Sequence, residues 1–252
     1  MEDQNKEVAL ITNASDYAGP PAVDALVDAG FRVLVYDKIF GDPDIWRRFS
    51  ADHPGAENVV ADTLADCVSK AWRLAGKVSV VVSNDHYPAI HGPFDCASSD
   101  DLRRTIDALV VDPFEALRTA VPLLTAQGGG NVVVITSCRT RLPMTGGAIP
   151  DMARAAANAL VRSLAIELAP FDIAVNAIAP NFLYSEAYYP RATFIDDPRG
   201  KAYVEAVVPA KRLGRPDEIG EVIRFLATTK AHFLTGAIID FSGGWPASAI
   251  RP

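Results

Sequence analysis

Short β-branched runs alternate with Ala/Leu-rich segments of helical period along nearly the whole chain, and that rhythm leaves few folds open. Near-continuous apolar runs read as strands buried on both faces, which happens when helices cover both sides of a parallel sheet. The runs predict strands at Val8–Thr12, Arg32–Tyr36, Asn58–Ala61, Val78–Ser83, Asn131–Thr136, Ala174–Ile178 and Ala237–Asp240. Apolar period and flanking turn residues predict helices at about Pro20–Ala29, Asp44–Ala51, Leu64–Leu74, Asp101–Ala126, Asp151–Leu168 and Pro216–Ala227. Right-handed crossovers join such units into a Rossmann-like, doubly wound parallel sheet, an α/β fold. A length of 252 residues suits one domain spanning 1–252. Ligands of such sheets lie at the carboxyl ends of the strands, which draws attention to the loops after Thr12, Tyr36, Ser83, Thr136 and Ile178. The stretch at about 181–199, rich in Tyr, Pro and Asp, reads as an irregular lid over that edge.

Charge and cysteine usage narrow the function. A net charge of −7 without any Lys/Arg block argues against nucleic acid as a partner. No apolar run approaches the ~20 residues of a bilayer-spanning helix, and Met1 to Glu7 lacks the pattern of a signal peptide, so a cytoplasmic address away from membranes is expected. Cys67, Cys96 and Cys138 are far apart and lack metal-ligand spacing, so neither disulfides nor a metal site is expected.

The residues at the strand ends carry more specific information. Thr12-Asn13-Ala14-Ser15-Asp16-Tyr17-Ala18-Gly19 follows the first strand, Asp37 the second, Ser83-Asn84-Asp85 the fourth and Ile135-Thr136-Ser137 the fifth. Val175-Asn176-Ala177-Ile178-Ala179-Pro180, Arg212-Leu213-Gly214-Arg215-Pro216 and Gly243-Gly244 come later. In order and spacing these segments resemble the short-chain dehydrogenases/reductases over the entire chain. The dehydrogenases of that family open with a Thr-Gly-x-x-x-Gly-x-Gly loop, whose small residues let backbone approach a dinucleotide pyrophosphate. Here only Gly19 remains of those glycines, and the ring of Tyr17 takes space the cofactor needs. Asp37 is ambiguous, since an acid there holds a ribose in NAD enzymes but also occurs in relatives that bind no ribose.

Thr-x-x-x-x-Phe/Tyr-x-Gly is instead the pattern of the halohydrin dehalogenase branch, in which the vacated pocket takes halide. That resemblance implies no cofactor. It implies that Tyr17, Pro180, Asn181, Phe182, Leu183 and Tyr189 line a halide and substrate site, although lid packing alone could account for the aromatics. It also implies a catalytic Ser137 and Arg154, seventeen residues apart as in the family. The tyrosine that the family places four residues before the arginine is Pro150 here. A proline near the start of a helix leaves the fold intact but supplies no proton acceptor. Arg154 stays protonated, and Asp151 points ~100° around the helix. Tyr184 and Tyr188 lie on the lid, where the sequence alone does not fix their reach.

Three functions remain open on this reading. The first is a lyase converting vicinal haloalcohols to epoxides plus halide, or opening epoxides with small anions in reverse. The second is a non-catalytic binding protein that keeps the pocket without the base, and the third an atypical NAD(P)-dependent dehydrogenase/reductase. The resemblance further implies a homo-oligomer, a tetramer, built on the helices of 101–126 and 151–168, the second of which is rich in small alanines that allow close approach.

Overall fold

The computed structural model describes residues 6–247. Seven parallel strands form one sheet in the order β3-β2-β1-β4-β5-β6-β7. They are β1 (Val8–Thr12), β2 (Arg32–Tyr36), β3 (Ala56–Asn58), β4 (Val80–Ser83), β5 (Gly130–Ile135), β6 (Ile173–Pro180) and β7 (Ile238–Phe241). The helices are α1 (Gly19–Asp28), α2 (Pro43–Asp52), α3 (Leu64–Ala75), α4 (Ser99–Ile106), α5 (Asp112–Ala126), α6 (Ala148–Leu168), α7 (Arg191–Phe194), α8 (Pro198–Val207) and α9 (Pro216–Thr228). This is the single-domain, doubly wound α/β architecture expected from the strand rhythm.

Alternation along the strands explains the two-sided core. Leu10, Leu34, Val81, Val132, Val134 and Val175 face the layer that contains α3, α5 and α6. Ala9, Ile11, Val33, Val82, Val133 and Ile178 face the layer of α1 and α9 on the other side. The long helices that flank the sheet each contribute an apolar stripe. In α3 it is Leu64, Cys67, Val68, Ala71 and Trp72, all buried, spaced so that one face meets the sheet. Thr63 caps that helix by accepting from the Asp66 N–H at 3.1 Å, a bond that contributes ~1 kcal/mol, and Gly76 ends it with φ +74°.

Where the structure departs from expectation, tertiary contacts account for it. The third strand lies at Ala56–Asn58 rather than Asn58–Ala61, because it is a short edge strand whose position is set by pairing with Val33–Val35 of β2. The expected helix over 101–126 starts at Ser99 and is interrupted by a π-helical turn, Asp107–Val111, between α4 and α5. That turn carries Leu109 into the wall of the cavity described below. The segment 181–199 is irregular only as far as Pro190; α7 follows, and α8 begins at Pro198. Helix α6 begins at Ala148, which makes Pro150 its third residue. The first four N–H groups of a helix have no partner within it, so a proline there breaks no bond. Among the described residues no helix is long and apolar enough to cross a membrane, and no cluster of His, Cys, Asp or Glu could hold a metal.

Candidate active site

The order reversal at β1 and β4 opens a crevice at the carboxyl ends of the strands, and the loop after β1 fills one side of it. That loop is bonded to itself and to its neighbours. The Ala14 N–H donates to the Tyr36 carbonyl, and the Ser15 N–H and hydroxyl donate to the Asp37 carboxylate at 3.1 and 2.6 Å. The Tyr17 N–H meets the Asp16 carboxylate, the Ala18 N–H the Asn84 side-chain oxygen, and the Gly19 N–H the Asp16 carbonyl. The Asn84 amide closes the turn by donating to the carbonyls of Asn13 at 2.7 Å and Asp16 at 2.9 Å. Gly19 survives for a steric reason, since a Cβ there would lie 2.4 Å from the Ala14 carbonyl oxygen. Tyr17 takes a left-handed backbone conformation, φ +61°, which is strained for a bulky residue. Its ring is buried against Tyr188, with centroids 4.9 Å apart and planes at 72°. Burial pushes the Tyr17 phenol well above its ordinary range, although the Arg154 cation acts in the opposite direction.

Ser137 follows β5 and is held by backbone. Its hydroxyl donates to the Pro180 carbonyl at 3.0 Å and accepts from the Arg139 N–H at 3.2 Å, while its own carbonyl accepts from Asn158. Arg154 rises from α6 into the interior, only 4 % exposed. One guanidinium nitrogen donates to the carbonyls of Asp85 at 2.9 Å and Ile135 at 3.3 Å; the other donates to the Tyr188 hydroxyl at 3.1 Å. Pro150 lies one helical turn earlier. Asp151 is paired with Arg139, and the Tyr184 hydroxyl is turned to Glu186, so neither meets Arg154.

The segment after β6 closes the opposite side. Phe182 has φ +57°, and the Asn181 side-chain oxygen accepts from the Phe182 N–H at 3.1 Å and from the Tyr189 hydroxyl at 2.6 Å. Phe182 packs against Tyr189 and Trp245. Burial raises the Tyr189 phenol as well. Among the described residues, the buried Leu183 N–H meets no acceptor and the Tyr17 hydroxyl no partner. A buried donor without an acceptor costs ~1–3 kcal/mol, which a bound anion would remove.

These walls enclose a cavity of about 530 Å³. Ser137, Arg154, Tyr17, Pro180, Asn181, Phe182, Leu183 and Tyr189 all line it, so the structure gathers every site residue expected from the sequence. Pro150 lines it too. Sequence reasoning left three contributors unassigned: Tyr188, Tyr87 and Asp85. Asp85 is 2 % exposed behind Arg154 and accepts from the Ser83 hydroxyl at 2.9 and 3.1 Å. Burial pushes its carboxyl up to about 7, against Ser83 and Arg154, which favour the charged form. The Ser83-Asn84-Asp85 segment was visible as a motif, but its depth was not.

Comparison with known proteins places this site in context. The family described as enoyl-(acyl carrier protein) reductase matches residues 56–246. The solved structure of a dehalogenation enzyme is 32% identical, with a TM-score of 0.91, over 96% of this chain and 99% of its own. A halohydrin dehalogenase bound to ethyl (2S)-oxiran-2-ylacetate is 29% identical, with a TM-score of 0.93, over 98% of this chain and 100% of its own. A Thermotoga maritima protein described as an uncharacterized oxidoreductase is 28% identical over 97% of this chain and 98% of its own length.

Proposed function

Because the chain belongs to the enoyl-(acyl carrier protein) reductase family of the short-chain dehydrogenase/reductase superfamily, yet has a first loop closed against a dinucleotide, we propose that it is a lyase of the halohydrin dehalogenase type. On this reading a vicinal haloalcohol enters the cavity, its oxygen displaces the neighbouring halide, and an epoxide forms; small anions open epoxides in the reverse direction. Ser137 orients the hydroxyl. Tyr17, Phe182 and Leu183, with the unpaired Leu183 N–H, receive the halide.

The observation that carries this reading is the state of the loop after β1. Pyrophosphate binding needs free backbone N–H groups at a helix N-terminus. Here the N–H groups of Ala14, Ser15, Tyr17, Ala18 and Gly19 already have acceptors, and Asp37, the residue placed to hold a ribose, is bonded to Ser15. The residues present do not fit a dinucleotide. A cavity of about 530 Å³ lined by aromatic and aliphatic side chains suits a small, partly apolar substrate.

The names of two wider relatives, an uncharacterized oxidoreductase and a dehydrogenase/reductase, favour an oxidoreductase instead, and Pro150 one turn before Arg154 favours a binding protein without turnover. One experiment separates the three. Bromide release is followed from a panel of short-chain vicinal bromoalcohols, alongside thermal-shift titrations with NAD(H) and NADP(H). A ligand of the native state at a hundredfold excess over Kd stabilises it by ~2.7 kcal/mol. The expected result is bromide release with no saturable shift by either dinucleotide. A saturable shift without bromide release overturns the reading in favour of the oxidoreductase; bromoalcohol binding without turnover overturns it in favour of the binding protein.

We further propose a homotetramer built on the outer faces of α4, α5 and α6. Ala155 and Ala159 lie exposed on α6 together with Met152 and Ile166, and Val111 and Phe114 are exposed around the start of α5. Such apolar surface is removed from water in a closed symmetric assembly. Light scattering at micromolar concentration is expected to give four times the 27.0 kDa chain mass. A monomer mass rejects this.

A further inference from the structure

We propose that Tyr188, carried by the lid, supplies the phenol that position 150 lacks and takes the proton from the substrate hydroxyl; this rests on the dehalogenase reading above. The resemblance to the halohydrin dehalogenases implies a phenol and a guanidinium one turn apart on a single helix. Here α6 provides the guanidinium alone. The phenol arrives from across the cavity, with the Tyr188 hydroxyl accepting from Arg154 Nη2 at 3.1 Å. The same oxygen accepts the Tyr87 N–H at 3.0 Å and donates to the Tyr87 carbonyl at 2.8 Å. Two N–H donors, one of them charged, therefore point at the oxygen that must carry charge when its proton leaves. Charge-assisted bonds of this kind are about twice as strong as neutral ones.

The position of the ring is fixed rather than incidental. The Tyr188 N–H donates to the Ser185 hydroxyl at 3.2 Å, and the ring packs at 4.9 Å on Tyr17. Tyr188 lines the same cavity as Ser137, Pro150 and Arg154. The other candidate groups are committed elsewhere or lie apart. Asp151 is bound to Arg139, Tyr184 to Glu186 outside the cavity, and His91 is largely exposed, with its imidazole kept below its usual range by the partial loss of water around it and by Arg139.

The step balances without a further reactant. The Tyr188 phenol, which donates to the Tyr87 carbonyl at rest, first loses its proton to solvent; the phenolate then accepts the proton of the substrate hydroxyl, which takes the place of that carbonyl as hydrogen-bond partner. The resulting alkoxide oxygen bonds to the adjacent carbon as the carbon–halogen bond breaks, and the halide leaves with the bonding pair. The phenol then returns its proton to solvent.

The test uses the full chain and bromide release from a short-chain vicinal bromoalcohol, with Tyr188→Phe, Pro150→Tyr and the double variant. Loss of a general base costs ~10²–10⁴-fold. Tyr188→Phe is expected to lower kcat by that factor with KM changed only a few-fold, and the double variant to recover at least tenfold, because the phenol returns to Arg154 from the helix side. A structural latch would instead raise KM and would not be rescued. If Tyr188→Phe keeps kcat within threefold, if the loss lies in KM, or if a folded double variant recovers nothing, the proposal is overturned while the dehalogenase reading stands. If the unaltered protein is inert and only Pro150→Tyr releases bromide, this proposal fails together with the lyase reading, in favour of a binding protein that keeps the pocket without a base. If neither the unaltered protein nor Pro150→Tyr releases bromide, the dehalogenase reading itself fails and this proposal with it. Should Tyr188→Phe not fold, fluorinated tyrosine at position 188 replaces it. The rising limb of the kcat–pH profile must then move to lower pH, and an unmoved limb overturns the proposal.

Discussion

Asp85→Asn is expected to remove most of a stability loss that the unaltered protein undergoes between about pH 4 and pH 7. The Asp85 carboxyl is pushed up to about 7 in the folded chain, chiefly by burial, whereas an unfolded aspartate titrates near ~3.9. Between those values the folded state holds a proton that the unfolded state has released, so stability falls as pH rises. The contribution is fully present below about pH 4 and is lost as the pH passes through about 7. At ~1.4 kcal/mol per unit, a span of about three units corresponds to ~4 kcal/mol. Asparagine cannot ionise, and its side-chain oxygen still accepts from Ser83. Urea unfolding of both proteins across this range checks the point through their difference, in which the remaining titrating groups cancel. Parallel curves would mean that Asp85 is charged throughout. Because the Asp85 carboxyl interacts electrostatically with the Arg154 guanidinium, the same titration changes the field at the cation that meets Tyr188.

Ser137→Ala is expected to lower the kcat for bromide release by ~10²–10³-fold, the usual consequence of removing one positioned hydrogen-bonding group at a reacting oxygen. The Ser137 hydroxyl here donates to Pro180 and accepts from Arg139; on the dehalogenase reading it exchanges the Pro180 carbonyl for the substrate oxygen as acceptor, which leaves the substrate's own proton for the base. Its orientation is set by two backbone groups rather than by mobile side chains. The folding cost of the substitution is small, ~1 kcal/mol for the lost bonds. Steady-state kinetics beside a thermal melt therefore separate the two effects. A variant within tenfold of the unaltered protein would remove Ser137 from the site.

Much of this was legible along the chain because it depends on local periodicity. The limits of β1 and β2 follow from uninterrupted apolar runs, and the Ser137–Arg154 spacing is a property of one strand end and one helix. Tyr17 was conspicuous because a bulky residue stands where the loop requires small ones. The rest is tertiary. Tyr188 meets Tyr87 across 101 residues of sequence, a contact that no local pattern encodes. The burial of Asp85 depends on α6 and β5 lying over it, and the π-turn at Asp107–Val111 leaves no composition signal that distinguishes it from the helix on either side. The short helix α7 was hidden by the proline and aspartate that flank it, residues that read equally well as loop.

The loop after β1 also bears on how such proteins diverge. Exchange of Tyr17 for glycine would open space, but it would free none of the N–H groups held by Asp16, Asp37 and Asn84. Conversely, removing Asn84 or Asp37 alone would loosen the turn while the ring still blocked it. No one of these changes alone opens the loop to a pyrophosphate, because the remaining bonds or the ring still close it. The interlocked turn thus acts as a ratchet, and reversal demands several coordinated substitutions on three separate loops.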